Sequence, residues 1–231
     1  MVFIQLNILT CNIRHGKGLD GNVKIERVAD LITKTNASIV GLNEVDCHYS
    51  KRSYYTDQVN WLAQHLNLHS FFAPAISNKY GNVLLSKYPI KKPINHLITS
   101  RWFENRSILE ADLIVHTKAI KVIITHFSLL PWLQRKHRKR VIERINNSEL
   151  PIVVMGDFNQ TRDSRFYRQL CQSFTDAALF HGKKPEHTFH SSFPFIGLDY
   201  ILLSPVIKVV DSHVVDSRIS DHLPFLATIE L

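Results

Sequence analysis

The chain has 231 residues, 45% hydrophobic and 21% charged, with 8 Gly and 9 Pro, enough apolar material to bury a sizeable core. No low-complexity tract or Ser/Gly linker divides it, so 1–231 reads as a single domain, and no apolar run approaches the roughly 18 residues of a membrane span. Cys11, Cys47 and Cys171 are far apart and in no CxxC or Cys/His zinc spacing, which argues against a disulfide framework and a structural zinc site, and the formal net charge is +8.

In chain order, "MVFIQLNILTCN" lacks a basic leader ahead of a long apolar run, so it reads as a first strand over 3–11 and not a signal peptide. A reducing, cytoplasmic setting is the resulting expectation. Helical periodicity follows at 23–36, where Val28, Leu31 and Ile32 share a face, then a strand at 38–43. A second helix spans 54–67, with Val59, Leu62, Ala63 and Leu66 on one side. "SNKYGN" and "KYPIKKP" read as turn-rich breaks around a strand at 82–86. Strands are predicted at 108–115 and 119–127, a helix at 133–147 through Val141, Ile142 and Ile145, and a strand at 151–156. Three more strands, 199–203, 206–210 and 223–230, complete the chain. Strands outnumber the interspersed helices, which suggests sheets covered by helices, an α/β layered fold.

The third helix carries "RKHRKR" (135–140), five Lys/Arg that leave a charge of only about +3 for the rest of the chain. Such a run favours polyanionic partners, nucleic acid or acidic lipid headgroups; the alternative is an ordinary solvated helix face.

One regularity links the strands. A strand ending "TCN" leads through a helix to one ending "LNEV", and a strand ending "THF" leads through a helix to one ending "GDFN". Asn12 to Glu44 is 32 residues and His126 to Asp157 is 31. Two such units would bring four polar strand ends to one rim, where layered α/β folds commonly hold ligands.

The acids at these ends follow runs that read as buried. A buried carboxylate is costly unless it is paired, hydrogen-bonded or on a metal, while a single strand-end acid is more often solvated or bridged to a Lys. Several together change that reading. Asp157 and Asn159 are two apart and point to one side if extended. Asp199, in "GLDYILLS", precedes another apolar strand, and Asp221 and His222, in "SDHLPF", precede the last one. Oxygen donors with few imidazoles and no thiolate favour Mg²⁺ or Mn²⁺, a choice that suits phosphoryl chemistry.

In order, "LTCNIRHG", "GLNEVD", "GNVLLSKYPI", "THFSL", "PIVVMGDFN", "LDYILLS" and "SDHLPF" resemble the motifs of the endonuclease/exonuclease/phosphatase superfamily, the deoxyribonuclease-I-like Mg²⁺-dependent phosphohydrolases. The resemblance runs from residue 10 to residue 225. It implies a four-layered α/β sandwich with two central mixed β-sheets flanked by helices. By position it implies that Glu44 is the principal metal ligand, with Asn12 as its helper and Asp221 beside the metal. Asp157 and Asn159 match the pair that orients water and binds phosphate. His222 matches the histidine on the scissile phosphate, with Asp199 as its carboxylate partner, and His126 matches a second phosphate-contacting histidine. Whether Asp157 or His222 takes the proton from water, and whether one or two metals act, stays open.

Arg106 resembles the family's strand-start arginine, a phosphate contact, against a surface salt bridge to Glu104 or Glu110. Tyr80 and Asn82 are candidate substrate contacts at the edge of the site. Asn43 stands where the family usually has Gln, and the shorter amide could alter contacts to substrate. "THF" departs from the tyrosine of abasic-site repair enzymes. His187 and His190 read as loop residues near Asp199. Trp132 and Phe189 are candidates to stack on a base, although packing is the more frequent fate of such residues.

The functional expectation is a metal-dependent phosphodiesterase, most simply a nuclease. The alternative keeps the chemistry on a small phosphomonoester or a lipid headgroup, as in a phosphatase or a sphingomyelinase-like phospholipase C. A non-catalytic relative would be expected to have lost one of the acids or the terminal histidine, and none is missing. Peripheral membrane contact through Trp132 and the basic run stays open, and a monomer is the default expectation.

Overall fold

The computed structural model describes residues 4–231; the first residue of the expected strand 3–11 and the reading of the extreme N-terminus lie outside them. Twelve strands form among the described residues: β1 (Gln5–Asn12), β2 (Ile39–Asp46), β3 (His69–Ile76), β4 (Tyr80–Ser86), β5 (Ile90–Ile98), β6 (Arg106–Val115), β7 (Lys118–His126), β8 (Ile152–Asp157), β9 (Thr175–Asp176), β10 (Asp199–Leu203), β11 (Lys208–Val214) and β12 (Phe225–Glu230). The helices are α1 (Glu26–Lys34), α2 (Gln58–Leu66), α3 (Pro131–Asn146) and α4 (Arg165–Leu170).

Two six-stranded mixed sheets result, in the orders β11-β12-β1-β2-β4-β3 and β5-β6-β7-β8-β10-β9. In each, the third and fourth strands are the parallel pair, β1–β2 and β7–β8, and every other pairing is antiparallel. Parallel neighbours need a crossover, which α1 and α3 supply. The sheets pack face to face through Leu6, Ile8, Leu84, Leu109, Val122, Ile124, Met155 and Ile201. Leu31, Ile32 and Leu62 of α1 and α2 cover the outer face of the first sheet against Leu9, Val40 and Leu85. Leu133 and Val141 of α3 and Phe166 and Leu170 of α4 cover the second against Ile123, Val154 and Leu202. The architecture is the four-layered α/β sandwich.

Five elements differ most from the sequence expectation, among them the two-residue β9, too short to show a pattern. β3 contains Pro74 and β5 contains Pro93, and both lie at sheet edges, where a missing ladder donor is tolerated. "KYPIKKP" therefore enters β5 at Ile90 and is only partly a turn. α4 has six residues, too few to show a period, although Ser164 caps it by accepting from the Tyr167 amide at 3.1 Å. The strand expected at 206–210 begins two residues later and extends to Val214.

Candidate active site

Side chains alternate along a strand, so each strand sends every second residue between the sheets. On β1 these are Leu6 and Ile8, on β7 Val122 and Ile124, on β8 Val153 and Met155, and on β10 Ile201 and Leu203. Continuing the same count to the strand ends gives Asn12, His126, Asp157 and Asp199, all at least nine-tenths buried. The register places Asn12 opposite Asn43, and His126 and Asp199 on either side of Asp157. Four strands thus deliver polar ends to one rim of the inter-sheet space.

Glu44 reaches that rim another way. Asn43 takes the inward position on β2, so a regular strand would send Glu44 toward the helices. The ladder to β4 is instead irregular between Leu42 and Val45, and Glu44 has φ 59°, which turns its carboxylate onto Asn12. Asn12 Nδ2 donates to Glu44 Oε1 at 3.0 Å and to Asp157 Oδ2 at 3.2 Å, joining the acids of the two sheets.

Asp157 is held at every polar atom. Its amide donates to Asn43 Oδ1 at 2.9 Å, Oδ1 accepts the Asn159 amide at 2.8 Å, and Oδ2 accepts from Asn12. Asn159 Nδ2 donates to Phe127 O at 2.9 Å. Gly156, at φ 130°, lets this strand end approach β7, because a Cβ there would sit 2.0 Å from Thr125 O. His222 Nδ1 is 2.8 Å from Asp199 Oδ2, and its Nε2 faces Asp157 Oδ2 at 3.7 Å, while His126 Nε2 lies 3.5 Å from the same oxygen. The Phe189 ring packs on His222 at 4.9 Å between centroids.

These surroundings separate the two imidazoles. Burial works against charge on His222, but Asp199, then Asp157 and Asp221, outweigh it and raise the group to about 10. Burial, with Arg106 and His222 nearby, holds His126 well below the usual histidine range, so it is neutral. Burial and the Asp199 charge push Asp157 up to about 7 against the opposing pull of His222. The result is an imidazolium, a neutral imidazole and a carboxylate poised near neutrality.

The remaining candidates lie around this group. Asp221 pairs with Arg14 at 3.3 Å, and the Arg14 amide donates to Asn12 Oδ1. Arg106 engages Glu104 while its Nε is buried without a hydrogen-bond partner; Glu110 is taken instead by His96, Lys121 and Arg144. Tyr80 is buried against Tyr49, and burial followed by the Glu44 charge keeps its phenol protonated. Asn82 lies under the site, accepting from Asn43 at 2.8 Å and donating to Ser107 O at 2.9 Å. Asn43 is wholly buried, so its amide faces Asp157, Asn82 and Thr125. His187 and His190 sit in the loop before Asp199, bonded locally to Pro194 O and Ser192 Oγ. Trp132, half exposed, packs on Phe103. Arg14 was missed in the sequence; its position two residues after Asn12 is the available signal.

The donor set suits a hard cation. Glu44 has one hydrogen-bond partner, Asn12, and no ion pair among the described residues; burial and then the Asp221 charge raise its pKa. A divalent ion would remove that penalty, with Glu44, Asn12 and Asp221 offering oxygen. Asp157, Asp199 and His222 also offer donor atoms within 4.8 Å of one another. There, however, His222 Nδ1 is committed to Asp199, which marks an acid–base set more than a cation cage.

Two stacked mixed sheets with carboxylates and histidines on their shared rim define the deoxyribonuclease-I-like α/β sandwich, a fold of phosphoester hydrolases. A model of the endonuclease/exonuclease/phosphatase family matches residues 9–222, and the chain belongs to that family. It is 26% identical over 246 residues to the uncharacterized protein YbhP of Escherichia coli K12, covering 98% of this chain and 97% of that one. An endonuclease/exonuclease/phosphatase from Bacteroides vulgatus is similar in structure, with a TM-score of 0.82 at 22% identity over 99% of each chain. A mannosyl-6-phosphatase from Bacteroides thetaiotaomicron has a TM-score of 0.79 at 15% identity, over 97% of this chain and 99% of that one.

Proposed function

We propose that the protein is a divalent-metal-dependent phosphodiesterase, most simply a nuclease, that attacks phosphorus in line with water. The observation that carries the reading is the row Asp199–His222–Asp157, with Asn12 tying Asp157 to Glu44. Asp199 fixes the His222 ring through Nδ1, so Nε2–H is aimed at the phosphate as a charged donor. Asp157, raised toward neutrality and held at both oxygens, orients the water and accepts its proton. Neutral His126 donates to a second phosphate oxygen. A hard cation on Glu44, Asn12 and Asp221 would offset charge on the phosphate and the leaving oxygen.

The outer face of α3 supports a polyanionic substrate: Arg135, Lys136, Lys139 and Arg140 are exposed while Leu133 and His137 face the core. The likeness to a mannosyl-6-phosphatase supports a second reading, a small phosphomonoester. Assays with Mg²⁺ and Mn²⁺ on single- and double-stranded DNA, RNA, sugar phosphates, nucleotides and sphingomyelin separate them, with Asp157→Asn as the control for contaminating activity. Diester cleavage that EDTA abolishes and Mg²⁺ restores is the expected result. Intact nucleic acid alongside monoester turnover would replace the first reading with the second.

A further inference from the structure

A second set of metal-ligating side chains lies outside the candidate active site, where β2 runs out into the segment before α2. Sequence spacing shows no zinc pattern there, since the third donor is ten residues from the first. The fold supplies the proximity: Cys47 and Asp57 form an isolated antiparallel bridge, which puts their side chains side by side. His48, with φ 52°, turns back over them, and its amide donates to Thr56 O at 3.0 Å. Asp46 anchors the same segment by accepting from Arg52 at 2.7 and 2.9 Å and from Ser53 at 2.7 Å.

Two of the three donors are aimed by the other end of their own side chain. His48 Nδ1–H donates to Tyr55 O at 2.8 Å, which sets the tautomer and leaves a lone pair on Nε2. Asp57 Oδ1 caps α2 by accepting the Asn60 amide at 2.9 Å, which turns Oδ2 toward His48. Those two atoms, Nε2 and Oδ2, lie 3.7 Å apart. Zinc bonds of ~2.0–2.3 Å at tetrahedral angles separate donors by roughly 3.3–3.8 Å. One donor atom from each residue, Cys47 included, falls within 4.8 Å of the others.

We propose that Cys47, His48 and Asp57 form a second metal site, for a borderline-soft divalent transition ion of the zinc type. A thiolate with an imidazole selects such ions over Mg²⁺, in contrast to the oxygen donors at Glu44. Three protein ligands with an exposed histidine leave the fourth position to water. Burial and the adjacent Asp57 push the Cys47 thiol up to about 11, so the metal displaces a proton, which leaves to solvent. The site begins three residues after Glu44, and a bound ion would clip the exit of β2 to the start of α2.

The test is titration of the full-length protein with Co²⁺ in excess Mg²⁺, which fills the oxygen site first. A thiolate-to-cobalt charge-transfer band with tetrahedral visible absorption, displaced by Zn²⁺, is expected for the unaltered protein and for Cys171→Ser. Cys47→Ser should abolish the charge-transfer band, and His48→Ala should weaken Co²⁺ binding by about tenfold or more. His48 is exposed, so His48→Ala keeps the fold; Zn²⁺ should raise the melting temperature of the unaltered protein and not of this variant. Absence of the band, its persistence in Cys47→Ser, or an equal Zn²⁺ shift in His48→Ala overturns the proposal. None of these outcomes depends on phosphoesterase activity.

Discussion

In β1–α1–β2 the acid arrives through a break in its strand; in β7–α3–β8 it arrives on an unbroken one. The two units occupy the same places in their sheets, and both end at the inter-sheet rim. Glu44 stands on a bulge, partly exposed, with one hydrogen bond from Asn12. Asp157 continues the inward-facing register of Val153 and Met155, is 1% exposed, and has its amide and both oxygens occupied. A loosely held carboxylate adapts to a ligand that comes and goes, whereas a general base gains from having nothing left to reorganise. The contrast fits the different jobs proposed above for two acids whose sequence contexts look alike.

Exchanging the two acids' properties is the sharpest way to break that contrast. Asp157→Asn should lower kcat by at least ~10²–10⁴-fold on any phosphoester the protein turns over, with unchanged dependence on Mg²⁺. Glu44→Gln should mainly raise the Mg²⁺ concentration needed for half-maximal activity, by about tenfold or more, with part of kcat recovered at high Mg²⁺. If the metal titration moves in Asp157→Asn and not in Glu44→Gln, the assignment is reversed. Asn43→Ala removes three buried hydrogen bonds, to the Asp157 amide, Asn82 Oδ1 and Thr125 O, and leaves a void, so urea denaturation should show a loss of about 2–4 kcal/mol.

The smallest effect concerns acid stability behind the second unit. His137 accepts or donates at 2.8 Å to Thr125 Oγ1, and burial, then Arg106, lower it to about 3. The unfolded chain takes up this proton near pH 6.5, the folded chain only near 3, so stability falls as pH drops between them. One such group contributes a slope of up to ~1.4 kcal/mol per pH unit. Denaturation midpoints at pH 6 and pH 5 should converge in His137→Phe relative to the unaltered protein, on top of a constant loss from the missing hydrogen bond.

Much of the site was readable because its residues end long apolar runs: "PIVVMGD" and "LDYILL" mark a buried strand and its polar end together. The edge strands β3 and β5 were not, since exposure and proline erase their signal. The buried bracing role of Asn43 has no sign in the sequence because its main partner, the Asp157 amide, lies 114 residues away. The turn of Glu44 was hidden for a related reason, since a bulge depends on the neighbouring strand. Cys47, His48 and Asp57 share no periodic spacing, and a single bridge between loop segments brings them together.

From the Asp157 amide a chain of contacts runs through Asn43 and Asn82 to Ser107, whose hydroxyl donates to Ala73 O at 2.8 Å. It passes from β8 to β2 and β4, back to β6 and on to β3, crossing between the sheets repeatedly. Deuterium should therefore enter the Asp157 amide only when the sheets part, placing it among the slowest-exchanging protons of the chain. Asp157 has no private motion: any opening that frees its amide would separate the sandwich itself.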